Sequence, residues 1–238
     1  MSLYLEDDAY GSFIVDASIS HRVGSPIELD GHHNSSHVGR TLKVTYLVDG
    51  KPLNVSSSAA RIGNKTEHHF SLAQLSVSTV AHNVTAVASL RGSNATFRAT
   101  TSLLRLPLRS DNGSATRLDH LYGSLAVRRD DEVAWKPIFS YTYYVQWSLY
   151  WYANLSTLDE FASMGYNVIH IVPTGDLGET PFPWDEFEPY LNRADELGLL
   201  LQYDVRWEFA NLSIMVDQVI RLASHPSILL WYLSLIHI

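Results

Sequence analysis

Four apolar runs in the carboxyl-terminal part of the chain, at 138–144, 167–172, 199–205 and 227–232, begin about 30 residues apart. Between them stand stretches that carry helix marks. The first has Ser156 or Thr157 as a cap, Leu158, Phe161 and Met164 on one face, and Gly165 as a stop; the second runs over 183–197 and is closed by Gly198. The third, 212–223, sets Ile214, Met215, Val219 and Leu222 at helical spacing. A connection of that length cannot be a hairpin and implies parallel strands, and strands covered on both faces read as continuous apolar runs, as these do. Residues 137–233 are therefore expected to be α/β. Three βα units and a fourth strand fit either half of an eight-fold barrel or a small open doubly wound sheet.

The preceding residues follow another rhythm. Residues 42–48 alternate polar and apolar side chains, Asp49-Gly50 is a hairpin signal, and 51–55 returns. Residues 70–80, 84–90 and 95–106 continue the pattern, which predicts an antiparallel, immunoglobulin-like β-sandwich over 1–118 and a linker over 119–136. Composition changes at the same place: all six tryptophans lie at or beyond residue 135. At 238 residues, both parts are long enough to hold a core.

Eight of ten asparagines head an N-x-S/T triplet: Asn34, Asn54, Asn64, Asn83, Asn94, Asn112, Asn154 and Asn211. Serine and threonine make up about one residue in six, so chance supplies one or two such triplets. The excess predicts a glycoprotein that is secreted or extracellular, because the triplet is the acceptor for N-linked glycans. The start, MSLYLEDDAY, is acidic and has no signal-peptide core, so the reading expects a chain that is a fragment of a longer protein.

The absence of cysteine excludes thiol catalysis, disulfides and cysteine-ligated metals. A net charge of -8 with no basic run gives no footprint for nucleic acid or an anionic membrane, and neither is expected as a partner. His32, His33, His37, His68, His69 and His82 lack carboxylates at ligand spacing and read as surface histidines; no metal and no cofactor is expected.

In a barrel the carboxyl ends of the strands form the active face. There stand Tyr144 and Trp147, then Asp204, Arg206, Trp207 and Glu208, then Trp231. The aromatic loop after the first run offers stacking faces and no nest of backbone N–H groups for a phosphate. Trp147, Trp207 and Trp231 suit either sugar stacking or core packing, and Arg206 and Glu208 either substrate binding or a rim salt bridge.

The stretch 224–231, Ser-His-Pro-Ser-Ile-Leu-Leu-Trp, resembles the fourth-strand motif of clan A glycoside hydrolases, family two in particular. Trp135-Lys136-Pro137-Ile138 is similar to the approach to their first strand, and Gly165-Tyr166-Asn167-Val168-Ile169-His170 to their second. With a sandwich in front, the pattern also resembles secreted fungal glycoside-hydrolase-like proteins. The resemblance implies the N-terminal half of a (β/α)8 TIM barrel and a carbohydrate substrate for the full-length parent. It also implies a pair of carboxylates flanking the scissile bond. The motif would place the acid at position 236, where Ile236 stands, and no Asp or Glu follows Asp217. The chain is thus expected to be inactive by itself, with residues 234–238 as a non-native tail. The competing reading is a noncatalytic secreted carbohydrate-binding or adhesion protein.

Overall fold

The computed structural model describes residues 1–20, 22, 40–90, 94–129, 132–147, 154–173, 182–205 and 211–232. The chain divides into two compact units, Met1–Leu108 with His120–Tyr122, and Arg109–Asp119 with Gly123–Ile238.

The first unit is built from two sheets. One holds β1 (Ser2–Leu5), β8 (Thr96–Leu106), β7 (Ser78–Leu90), β3 (Thr41–Val48) and β4 (Lys51–Leu53) in that order, with β5 (Ala59–Arg61) also on β3. The other pairs β2 (Tyr10–Asp16) with β6 (Lys65–Ser71). Strand β3 buries alternate residues, Leu42, Val44, Tyr46 and Val48, as its period-two pattern requires. Asp49 and Gly50 both take positive φ, 49° and 79°, which gives the tight turn to β4 the twist that a two-residue hairpin needs. Phe13 of β2 bridges the sheets, stacked 4.7 Å from Tyr46 and 4.5 Å from Phe70. The pairing of β1 with β8 is parallel, so this unit is not wholly antiparallel as its sequence suggested.

Two histidines read as surface residues are buried. His68 is 0% exposed and lies 2.7 Å from the Tyr46 hydroxyl and 3.0 Å from the Ala59 carbonyl. Its Nε2 must donate to that carbonyl, so Nδ1 accepts from Tyr46. Burial pushes the Tyr46 hydroxyl up to about 12. His82 is 7% exposed and sits 2.7 Å from Asp49 and 2.9 Å from the Ser76 carbonyl.

The second unit centres on a four-stranded parallel sheet in sequential order: β12 (Thr142–Gln146), β13 (Val168–Val172), β14 (Leu200–Asp204) and β15 (Ile228–Tyr232). Helices α1 (Ser156–Ser163), α2 (Trp184–Leu197) and α3 (Leu212–Leu222) fill the three crossovers. All three pack into one core with Val145, Ile169, Ile171, Leu201, Tyr203 and Ile228, which places them on a single face of the sheet. A doubly wound sheet puts helices on both faces, an arrangement that these three helices do not show. Gly198 ends α2 at φ 71°, and Asn211 caps α3 by accepting from the Ile214 N–H. Arg193 of α2 pairs with Asp159 of α1.

Strands β9 (Ala115–Leu118), β10 (Leu125–Arg128) and β11 (Lys136–Ile138) form a small antiparallel sheet. Val127 packs with Val168, Leu200 and Leu229, so this sheet covers the other face of the parallel sheet at its amino-terminal end. The linker expected over 119–136 is therefore corrected. Leu125, Ala126 and Val127 are too short an apolar run to stand out in the sequence, yet they pair on both sides, and Leu125 and Val127 pack with residues of the parallel sheet.

Candidate carbohydrate site at the strand ends

Side chains alternate along a strand, so the residues of β13 and β14 that avoid the helix core face the opposite side. Val168 and Leu200 are covered there by β10, whereas His170, Gln202 and Asp204 follow them toward the carboxyl ends. Register brings Tyr144 beside His170 and Tyr232 beside Asp204. His170 Nε2 lies 3.1 Å from Asp204 Oδ2, and the Asp204 side chain is fully buried. A carboxylate in such a place is tolerable only when hydrogen-bonded, and His170 is one of its partners. The bond fixes the imidazole with its proton on Nε2.

Two tyrosines flank that imidazole. The Tyr144 ring stands 4.9 Å from it at 78°, and the Tyr232 ring 4.8 Å at 61°. Tyr144 is 49% exposed and Tyr232 37%, while the His170 side chain keeps 17%. The result is an open aromatic lip over a polar floor. Such an arrangement can stack on the C–H face of a sugar ring and hydrogen-bond its hydroxyls. It holds one carboxylate among the described strand-end residues. Glycoside hydrolysis generally uses a pair of them.

Of the residues expected here from sequence, Tyr144 and Asp204 meet at this face. Trp147 does not. It is 1% exposed and packs edge-on against Phe187 at 5.0 Å and Tyr190 at 6.5 Å, so core packing is its role. Trp231 is 37% exposed but pairs in register with Tyr203, 5.6 Å away, on the helix side of the sheet. Arg206, Trp207 and Glu208 lie outside the described residues. His170 and Tyr232 are the residues that sequence reasoning missed. The signal for His170 was present: it is the polar residue inside the apolar run Val-Ile-His-Ile-Val.

Every described sequon asparagine is exposed, namely Asn54, Asn64, Asn83, Asn94, Asn112, Asn154 and Asn211; Asn34 lies outside the described residues. Among the described residues no three His, Asp or Glu side chains converge as metal ligands.

No family profile matches the chain, and no curated protein does. Similar solved structures include β-glucuronidases and a family-two β-galacturonidase. β-Glucuronidase 3 of Bacteroides uniformis aligns over 97% of this chain and 26% of its own, at 15% identity and a TM-score of 0.35. Parabacteroides merdae β-glucuronidase aligns over 82% and 24%, at 10% identity and 0.35. The family-two β-galacturonidase of Eisenbergiella tayi aligns over 82% and 34%, at 12% identity and 0.32. The chain spans about a quarter to a third of the length of these proteins. At such scores the likeness carries no part of the functional reading, which rests on this chain's own residues.

Proposed function

We propose that the chain is a part of a secreted glycoside-hydrolase-like protein: a sandwich unit followed by the first half of a (β/α)8 barrel. In this reading the carboxyl ends of the parallel strands bind a carbohydrate, and this chain alone does not hydrolyse it. The observation that carries the reading is the Tyr144–His170–Tyr232 lip over the buried Asp204. The sequential strand order with all helices on one face supports it, because that winding is the one that closes into a barrel. So does the sheet's edge: β12 and β15 each pair on one side only among the described residues, and further strands would cover them.

That Asp204 is the one carboxylate among the described strand-end residues favours a second reading, a noncatalytic carbohydrate-binding or adhesion protein. Both readings are tested by titrating the chain with a panel of methyl glycosides by saturation-transfer NMR, alongside release of nitrophenol from the matching aryl glycosides. Weak binding of one or more sugars, with dissociation constants of about 1 mM and release at the buffer rate, is the expected outcome. Absence of binding across the panel would remove the site, and turnover by the chain would remove the claim of inactivity. The full-length reading frame separates the two: a Glu following strand four and a carboxylate at strand seven belong to the hydrolase only.

A further inference from the structure

The second unit carries a cleft away from the strand-end site, of about 600 Å³, beside Asn112, Arg129, Glu188, Asn192, Asp195 and His225. That volume lies within the range of about 300–1,000 Å³ usual for small-molecule sites. Its walls are polar, and its carboxylates are held in place. His225 stands 3.1 Å from Asp195 and 3.3 Å from Glu188; Asp195 also accepts from the Ser227 N–H at 2.9 Å. Asn192, one turn from Glu188 on α2, is exposed.

Asn112 is both an exposed sequon asparagine and a wall of this cleft. The sequon is pinned to the cleft's own rim. Arg109 donates to the Ala223 carbonyl at 2.7 Å, and the hydroxyl of Ser114, the sequon's third residue, donates to the Ile228 carbonyl at 2.6 Å. Between them Gly113 is so close that an added Cβ would lie 2.2 Å from the Ala223 carbonyl. Three contacts thus mount residues 109–114 on the segment 223–228, which supplies His225. A glycan rooted at Asn112 begins at a fixed point beside hydrogen-bonding groups that are already positioned, so little ordering entropy opposes its docking.

We infer that this cleft is the seat of the Asn112-linked glycan, whose core N-acetylglucosamine disaccharide lies against Asn192, Glu188 and Asp195. The inference rests on the glycoprotein reading and not on the strand-end site. Its covalent step is ordinary: Asn112 Nδ2 bonds to C1 of a lipid-diphosphate-linked oligosaccharide, the amide gives up one proton, and the lipid diphosphate leaves.

The test is to produce the full chain behind a secretory leader in a eukaryotic host. Occupancy is measured sequon by sequon by glycopeptide mass spectrometry, then glycan release from the folded protein by an endoglycosidase is timed. Asn112 is expected to be occupied and released about tenfold more slowly than Asn154, a difference that vanishes on denaturation. Asn192→Ala, at an exposed position, should speed release at Asn112 and leave Asn154 unchanged. An empty Asn112 beside occupied neighbours, or equal release at the two sites, would overturn the inference. If all sequons of the secreted chain are empty, the glycoprotein reading fails first and takes this one with it.

Discussion

His170 is polar in a strand where every neighbour is apolar, and its bond to the buried Asp204 explains why the strand carries it. Removing the ring takes a partner from a carboxylate that has no access to water. His170→Ala should therefore lower unfolding stability by about 1–3 kcal/mol, read from urea denaturation, and abolish sugar binding. Tyr144→Ala should weaken binding with little effect on stability, since the ring is half exposed. Tyr144 and Asp204 were legible because they sit at strand ends, whereas His170 needed its partner across the sheet to be recognised. The histidine pairs predict a pH dependence. Asp49 raises His82 above its ordinary value through their hydrogen bond, against burial, and Asp195 does the same for His225. The same bond lowers Asp49. The histidine contribution is complete below the ordinary value of about 6.5 and is lost as pH rises through the raised folded values. The Asp49 contribution is present above its ordinary value and is lost as pH falls through the lowered one. The urea midpoint should be higher at about pH 6 than at about pH 8.5, and His82→Gln with His225→Gln should flatten that slope.

At the scale of elements, the parallel strands and their helices were written in the periodicity: β12 to β15 and α1 to α3 fall on the segments marked by apolar runs and caps. Strands β1 and β2 carry too weak an alternation to be seen, and β9 to β11 are only three or four residues each. Strands β1 and β2 depend on partners far along the chain, β8 and β6, which periodicity does not encode. Gly198 illustrates a local rule that survives folding. Its left-handed φ of 71° ends α2, and Gly198→Ala should cost about 1 kcal/mol by thermal melting. Phe70, 2% exposed between Phe13 and Tyr4, belongs to the joint of the two sheets, and Phe70→Ala should cost about 3–5 kcal/mol.

For the whole molecule, the two cores share no residue, and all six tryptophans fall in the second unit. Tryptophan fluorescence therefore reports the unfolding of that unit alone. Its denaturant transition is expected to differ from the one seen by far-ultraviolet circular dichroism, which the strands of the first unit also feed. The two-part organisation was readable from the change of rhythm and the tryptophan distribution; the boundary at 108 was not, because 109–119 is polar and turn-rich while its bonds belong to the second unit. The central claim is that the carboxyl ends of the parallel strands form a sugar-binding face. The most direct measurement is a titration of ¹³C-labelled His and Tyr rings with the saccharide selected by the glycoside panel. Shifts at His170, Tyr144 and Tyr232, absent in His170→Ala, are the predicted result. Shifts confined to His225 or to the rings of the first unit, with those three unmoved, would contradict it.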